Sequence, residues 1–438
     1  MAGTKAAAGQ NKLTREERSW ILYDVANSAF TLIVVTTIMP IFFGGVAAAG
    51  VAPNRATALW GYTNTIASIF VAVLAPILGT FADNKGMKKR LFLVFLGAGV
   101  VMTFLFATIG EGMVSYAMVI SIVGFIGYAG ANLFYDSFLT DVTTDERMDA
   151  VSTKGFAWGY IGSVVPFLLA FVFLLNPDMV GGTLVATRIA FFITAFWWLG
   201  FSIPMIRNVN QRHFVPRQAA PLRSAFRRLG KTFAEIRRYR RAFLFLLAYF
   251  FYIDGVDTII KMATIYGTEI GLGQNELILA VLAIQIVAFP FALIYGRLAK
   301  RFSVRPMLFT GIAVYLVIVV LGFYLPVLAV GIVQRGVFWF MAFLVATSQG
   351  GIQALSRSYF GKLIPKEQSG EFFGFYNIFG KFAAIVGPFL LAIMSDLTGE
   401  SRYGVLSLAL LFVAGGVLLA FVREEAPRPE AVRTGESG

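Results

Sequence analysis

The chain of 438 residues contains no cysteine, a single histidine, and few charges, with Asp, Glu, Lys and Arg together making up 14%. Without cysteine there are no disulfides, iron–sulfur clusters or thiolate metal sites, and no metal or other cofactor is expected. The lone His213 sits in a basic stretch and reads as solvated. The sequence also lacks a nucleophile–His–acid set, a metal-ligand cluster and a phosphate-binding loop, so a membrane enzyme is not expected. Its first 19 residues are polar and have no apolar core of the kind a cleavable signal peptide needs.

The chain is rich in apolar length instead: 58% of its residues are hydrophobic. About 20 apolar residues span a hydrocarbon core as a helix. Twelve such segments occur, at approximately 20–44, 56–82, 91–109, 113–139, 155–175, 187–206, 242–264, 276–298, 306–325, 328–356, 370–393 and 403–422. A transmembrane β-barrel would alternate polar and apolar residues, which the run from Ile66 to Leu78 does not do. The fold class is therefore an all-α membrane protein with twelve transmembrane helices.

The net charge of +13 does not point to nucleic acid, because of where it lies. With a cytosolic N-terminus, 31 of the 37 Lys and Arg fall on the tails and even-numbered connections, against Arg55, Arg188 and Arg402 on the other side. That asymmetry predicts a multi-pass protein of the cell membrane with both termini cytosolic, surrounded by lipid and monomeric.

Residues 207–241 carry eleven Arg or Lys and divide the segments six and six. This gives a tail over 1–19, a bundle over 20–206, a basic cytosolic linker over 207–241, a second bundle over 242–422 and a Pro-, Glu- and Gly-rich tail over 423–438 that reads as disordered. Within the linker, Leu222, Phe226, Leu229, Phe233 and Ile236 recur at helical spacing among arginines. An interfacial amphipathic helix and a solvated basic loop both fit that pattern.

Between the second and third segments, GTFADNKGMKK places Gly79, Asp83, Gly86, Lys88 and Lys89 in the pattern G-x-x-x-D-x-x-G-x-[RK]-[RK]. A weaker counterpart, GRLAKRFSVR, starts at Gly296 in the second half. With the six-plus-six division, this motif resembles the signature of the major facilitator superfamily, which implies two bundles of six helices working by alternating access. Gly79 permits close helix approach, Gly86 a turn with positive φ, and Asp83 an acceptor for a helix N-terminus. Lys88 and Lys89 are expected at the headgroups. The resemblance makes this set a conformational latch that breaks during transport.

Charges inside spanning segments are costly and usually mark a polar pathway. At 1.5 Å of rise per residue, Asp24, Asp136 and Arg357 fall at one level near the cytosolic side. Asp254 and Lys381 lie about 15 to 18 Å in, and Asp257, Lys261 and Arg335 are farther out. Asn132 with Asp136, Gln349 with Gln353 and Arg357, Asn377 with Lys381, and Asp257 with Lys261 are four apart; Asp24 with Asn27 and Asp254 with Asp257 are three apart, so each set shares a helix face. Asp24, Asp136 and Arg357 are the expected proton-coupling residues, since an arginine competes with protons for the acids. Static interhelical pairs are the structural alternative. Gly155, Gly159 and Gly162 form a small-residue ridge suited to packing. Gly350, Gly351, Gly387 and Pro388 suit packing or bending, while Trp20, Trp60 and Tyr62 suit interfacial anchoring.

The stretches WILYDVANSAF, NLFYDSFLTDVTTDERMDAVSTKGFAWGYIGS, YIDGVDTI, GGIQALSRSYFGKLIP and EFFGFYNIFGKFAAIVGP together resemble the vacuole-effluxer-like branch of the superfamily, whose named members export amino acids from fungal vacuoles. The resemblance implies a secondary active transporter of amino acids or related zwitterions, coupled to protons. On that reading Lys381 or Arg335 meets a carboxylate and Asp254 or Asp257 an ammonium, with Asn377 and Tyr376 beside them. Phe373, Phe375 and Phe379 would face an apolar side chain. The chain departs from the family pattern at Asp136, where Asn is commoner, and at Asp257, where an amide is. A multidrug or organic-cation proton antiporter is the alternative, favoured by 44 Phe and several acids. Against it, GYIGSVVP has Val165 before Pro166 where the antiporter signature ends in Gly-Pro. Lipid translocation and a structural or receptor-like role are further readings.

Overall fold

The computed structural model describes residues 12–215, 239–269, 271, 274–328 and 331–422. The linker over 216–238, read as an interfacial helix or a solvated loop, and the tail over 423–438, expected to be disordered, lie outside the described residues.

Among these are twelve helices long and apolar enough to cross a membrane. They are α1 (Arg15–Ala47), α2 (Pro53–Ala82), α3 (Met87–Leu105), α4 (Val114–Val142), α5 (Asp145–Leu175), α6 (Thr183–Asn208), α7 (Arg240–Glu269), α8 (Gln274–Phe302), α9 (Val304–Tyr324), α10 (Ile332–Leu363), α11 (Ser369–Thr398) and α12 (Ser401–Ala420). Helices satisfy every backbone group within one segment, which is what lets so apolar a chain enter lipid. Even pairing of up and down strokes returns the start of α1 and the end of α12 to one end of the protein, here called the terminal end.

Local sequence fixes the ends. Thr14 caps α1 by accepting from the Glu17 amide at 3.1 Å, and Glu17 returns the bond to Thr14 N at 2.8 Å. Glu17 also receives Arg147 at 2.6 Å and Thr143 at 2.7 Å, so this cap pins α1 to the turn between α4 and α5. Farther along, α1 widens to π-helix over Phe30–Ile38. There Thr36 and Thr37 donate to the carbonyls of Thr31 and Leu32, five residues back, at 2.9 and 2.6 Å. Such widening is uncommon in helices and concentrates at functional sites.

One core joins α1 to α6 and a second joins α7 to α12. The glycine ridge of α5 seats α1: a Cβ at Gly155, Gly159 or Gly162 would meet Asp24, Ser28 or Val25 at 2.3 to 2.7 Å. The bundles touch through α2 on α11 and α5 on α8 and α10. Large apolar side chains such as Ile69, Phe70, Leu169, Phe196 and Val413 remain exposed, as a lipid-facing surface requires.

Candidate functional site

Arg357, from the terminal part of α10, is enclosed by the other bundle. It donates to Asp24 Oδ2 on α1 at 3.1 Å, to Asp136 Oδ1 on α4 at 3.2 Å, and to Ser152 Oγ and O on α5 at 3.0 and 3.2 Å. Its guanidinium lies 4.6 Å from the Trp20 ring and 4.4 Å from Phe156, between their faces. The three charged side chains expose 4%, 9% and 16% of their surface. Two carboxylates thus share one cation, and the fully ionised set carries one uncompensated negative charge. Burying such a charge is expensive.

Around this centre the bundles are joined from about one helical turn deeper, at Gln353, out to the terminal end. Asp83 accepts from the amides of Gly370 and Glu371, the first turn of α11, at 2.7 and 2.9 Å. A Cβ on Gly79 would lie 2.4 Å from the Gly370 carbonyl oxygen. Gly86 adopts φ +75°, as the turn requires. Burial pushes the Asp83 carboxyl up to about 7, against the pull of Lys88 and the two amides. Asp149 accepts from Ser358 at 2.7 Å and Lys362 at 2.5 Å, Asp145 meets Lys366 at 3.0 Å, Ser152 donates to Ala354 O, and Tyr160 donates to Gln353.

Several expectations need correction. Lys88 is not at the headgroups: it is fully buried, donating to Asp141 at 2.7 Å and to Ser369 at 2.8 Å, because Asp141 is buried beside it and needs a cation. Lys89 does lie outside, on Asn210 at 2.8 Å. Trp20 is not an interfacial anchor; it is fully buried, stacked on Tyr135 at 4.4 Å and forming a wall for Arg357. Nor is His213 merely solvated. The stretch from Val209 to Val215 straps across the Asp83 turn, with the Arg212 and His213 amides both 2.8 Å from Asp141 Oδ1 and the His213 ring 3.3 Å from it. Gln211 accepts from the Gly86 amide and Val215 N donates to Asp83 O, each at 2.9 Å.

The expected substrate residues are not gathered in one place. Asp254 is fully buried, accepting from the Gly387 amide of α11 at 2.8 Å and from Thr258 at 3.3 Å, so both its oxygens are turned into its own bundle. Tyr376 is stacked on Tyr249 at 4.3 Å and on Phe360, and Phe373 and Phe375 are buried with it, making core rather than an open wall. Arg335 lies at the opposite end of α10, about 33 Å along the axis from Arg357, exposed and 3.8 Å from Glu276. Asn377 is partly buried on α11 and Asp257 partly buried on α7. Lys381 belongs to α11, but its side chain lies outside the described residues. Asn64, Ser68 and Tyr128 add a small polar recess beside Val35 and Phe125, and Tyr128 bonds Thr31 at 2.5 Å.

The acids Asp141, Asp145 and Asp149 and the serine Ser152 were missed as functional residues. The four-residue spacing of the three acids across the α4–α5 turn, with Ser152 three residues farther on and basic partners at Lys88 and at Arg357, Lys362 and Lys366 in and just after α10, was the available signal.

Comparison with known proteins gives the family. The family model described as "Vacuole effluxer Atg22 like" matches residues 48–432. An uncharacterized MFS-type transporter, YxiO, of Bacillus subtilis is 48% identical over 94% of this chain and 96% of its own. Autophagy-related protein 22 of Cryptococcus neoformans is 26% identical over 70% of this chain, a match that spans 58% of the fungal protein's length. Among solved structures, the proton:xylose symporter XylE superposes with a TM-score of 0.68 at 13% identity, over 93% of this chain and 95% of that one. The transporter FucP in its outward conformation gives 0.66 at 14%, over 94% and 98%. At those identities the two structures establish the shared fold.

Proposed function

The chain belongs to the vacuole effluxer Atg22-like family and is a multi-pass transporter of the major facilitator superfamily, not an enzyme; from that premise we propose that it moves amino acids or related small zwitterions by alternating access coupled to protons. The observation that carries this reading is the Asp24–Arg357–Asp136 cluster, in which two acids and one base from opposite bundles meet at their junction. One proton neutralises the set. Separation of the bundles would expose all three groups, so proton uptake and release would follow the conformational cycle.

Lys381 and Asp257 are the proposed contacts for substrate carboxylate and ammonium, with Asn377 beside them. Arg335, Tyr376 and Asp254 are set aside as direct contacts because of their placement. Charge asymmetry puts the terminal end on the cytosolic face of the cell membrane, and a monomer in lipid suffices for the proposed cycle.

The test is flux in proteoliposomes. Labelled amino acids are expected to move saturably and faster under an imposed pH gradient. Asp24→Asn and Asp136→Asn should each remove the gradient's effect, and Lys381→Ala should abolish movement in a protein that still folds. Unchanged pH dependence in both Asn variants would end the coupling role. Movement of organic cations alone would transfer the reading to the cation antiporter.

A further inference from the structure

The first helix of each bundle presses a carboxylate against the fifth helix of that bundle at a glycine: Asp24 at Gly155, and Asp254 at Gly387. Their surroundings differ. Asp24 has Arg357, whereas the described partners of Asp254 are neutral, the Gly387 amide at 2.8 Å and the Thr258 hydroxyl at 3.3 Å. Asp254 lies about 21 Å along α7 from Arg240 and is fully buried.

Its position on α11 matters because Gly387 precedes Pro388. Proline has no N–H, and its ring displaces the carbonyl four residues back, so the helical ladder is already interrupted there. The amide just before the break is donated to Asp254 on another helix. Bends in long helices arise at such places, where proline and a non-helical partner enter the ladder together. Contact is tight: a Cβ on Gly387 would fall 2.0 Å from Thr258 Oγ1 and 2.8 Å from Asp254 Oδ1.

We propose that Asp254 is a proton-binding residue that controls a hinge in α11, gripping the Gly387 amide when ionised and loosening that grip when protonated. An amide donates more strongly to a carboxylate than to a neutral acid. An anion this deep in a membrane protein is costly, and the neutral acid is tolerated. The two states therefore differ both in charge and in their hold on α11. No bond other than O–H is made or broken: a proton from water joins one carboxylate oxygen and later leaves it.

Among the described residues, the charged groups near this site are few. On α7, Asp257 and Lys261 follow at three and seven residues and lead toward the end away from the termini, Asp257 partly buried and Lys261 exposed. On α11, Lys381 stands six residues before Gly387. Neighbouring α12 contributes Phe412 against Gly255, and α10 contributes Ser356, bonded to Tyr252 at 2.6 Å. Asp257 and Lys261 lie along α7 between Asp254 and the end away from the termini.

The inference rests on the transporter reading but not on the identity of the solute, and its test needs no solute. The absence of native cysteine allows spin labels at two introduced cysteines, Leu397→Cys at the far end of α11 and Ile332→Cys at the same end of α10, both on exposed side chains of one bundle, so that the pair reads the bend of α11 and not the separation of the bundles. Their separation is expected to shift between pH 5.5 and pH 8. Asp254→Asn should hold the acid distribution at both pH values, while Asp136→Asn should retain the shift. Thr258→Val, which keeps the carboxylate but withdraws one donor from the anion, should move the midpoint upward by about one pH unit or more, and it stands in if the Asn variant fails to fold. A pH-independent separation in the unmodified background, or a shift that survives Asp254→Asn, overturns the hinge. Absent flux of every tested amino acid with the shift intact would instead count against the substrate reading.

Discussion

The turn from Gly79 to Lys89 and its counterpart from Gly296 to Arg305 share a sequence frame and differ in chemistry. Gly86 and Ser303 occupy corresponding places, both at positive φ, +75° and +69°, but with ψ of −1° and 168°. Gly79 packs against the backbone of Gly370 on α11, and Gly296 packs against Thr153 on α5, each contact crossing between bundles. Four residues after its glycine, however, the first turn buries Asp83 on the α11 amides, whereas the second presents Lys300 at the surface. Beside the second turn, the acids Asp145 and Asp149 of α5 take their cations from Lys366 and Lys362 instead. The twofold character of these turns is thus a matter of close glycine packing between the bundles. Their electrostatics are not twofold, and closure of the terminal end rests on a buried carboxyl on one side and on lysines on the other.

The packing half of this comparison is the easier to break. Gly79→Ala drives a methyl into a carbonyl oxygen that cannot turn aside, at 2.4 Å, whereas Gly296→Ala meets a hydroxyl of Thr153 at 2.2 Å that a second substitution can remove. Overpacking of about 1 to 3 kcal/mol corresponds to roughly 5- to 150-fold in the closed-to-open ratio. Thiol labelling of Ser152→Cys, buried between the bundles, is the readout. Gly79→Ala should raise its rate toward the upper part of that range. Gly296→Ala should raise it less, and Thr153→Ala should partly restore it. Equal, unrescued effects would mean that the two contacts are the same after all.

The charged half is sharpened by Asp83→Ala against Lys300→Ala. Removing Asp83 strands two amides at the buried start of α11, at about 1 to 3 kcal/mol for each unsatisfied group. At least about tenfold faster labelling is expected, with Lys300→Ala within twofold of the unaltered protein. A pH signature should accompany it. The Asp83 carboxyl binds its proton more tightly buried, at about 7, than when released to water, where it is near 4. Closure therefore takes up a proton. Its contribution is complete below about pH 4 and lost as pH rises through about 7, so labelling should speed up about tenfold from pH 6 to pH 8, and that increment should be missing in Asp83→Ala.

How far the sequence led can be judged residue by residue. The spans were legible because a 20-residue apolar requirement leaves little freedom, and Asp24, Asp136 and Arg357 were legible as one level because helical rise converts sequence position into depth. Depth is only one coordinate. Rotation about the helix axis placed Asp254 against α11 and Tyr376 in the core, and no single-sequence argument supplied that phase. Trp20 was misread because an aromatic near a segment end fits both a headgroup and an arginine cage. Lys88 was misread because its partner Asp141 lies 53 residues away, and His213 because a strap needs a groove before it can be recognised. In each case the chemistry of the residue was plain and the missing piece was a long-range neighbour.

The smallest effect belongs to the position where both turns take a positive φ. Ser303, at φ +69° and ψ 168°, lies in a region that is essentially glycine's alone, a strain of about 1 to 3 kcal/mol, and it is the one non-glycine residue at positive φ among those described. Ser303→Gly relieves that strain but lets the unfolded chain gain freedom, which returns about 0.4 to 1 kcal/mol. Gly86→Ser adds strain where open space surrounds the new side chain, so the cost is conformational alone. Thermal unfolding in detergent should therefore move by a degree or two in opposite directions for the two variants. If Ser303→Gly lowers the midpoint instead, the serine side chain stabilises its turn by more than the strain costs, and the two turns differ in side-chain chemistry as well as in ψ.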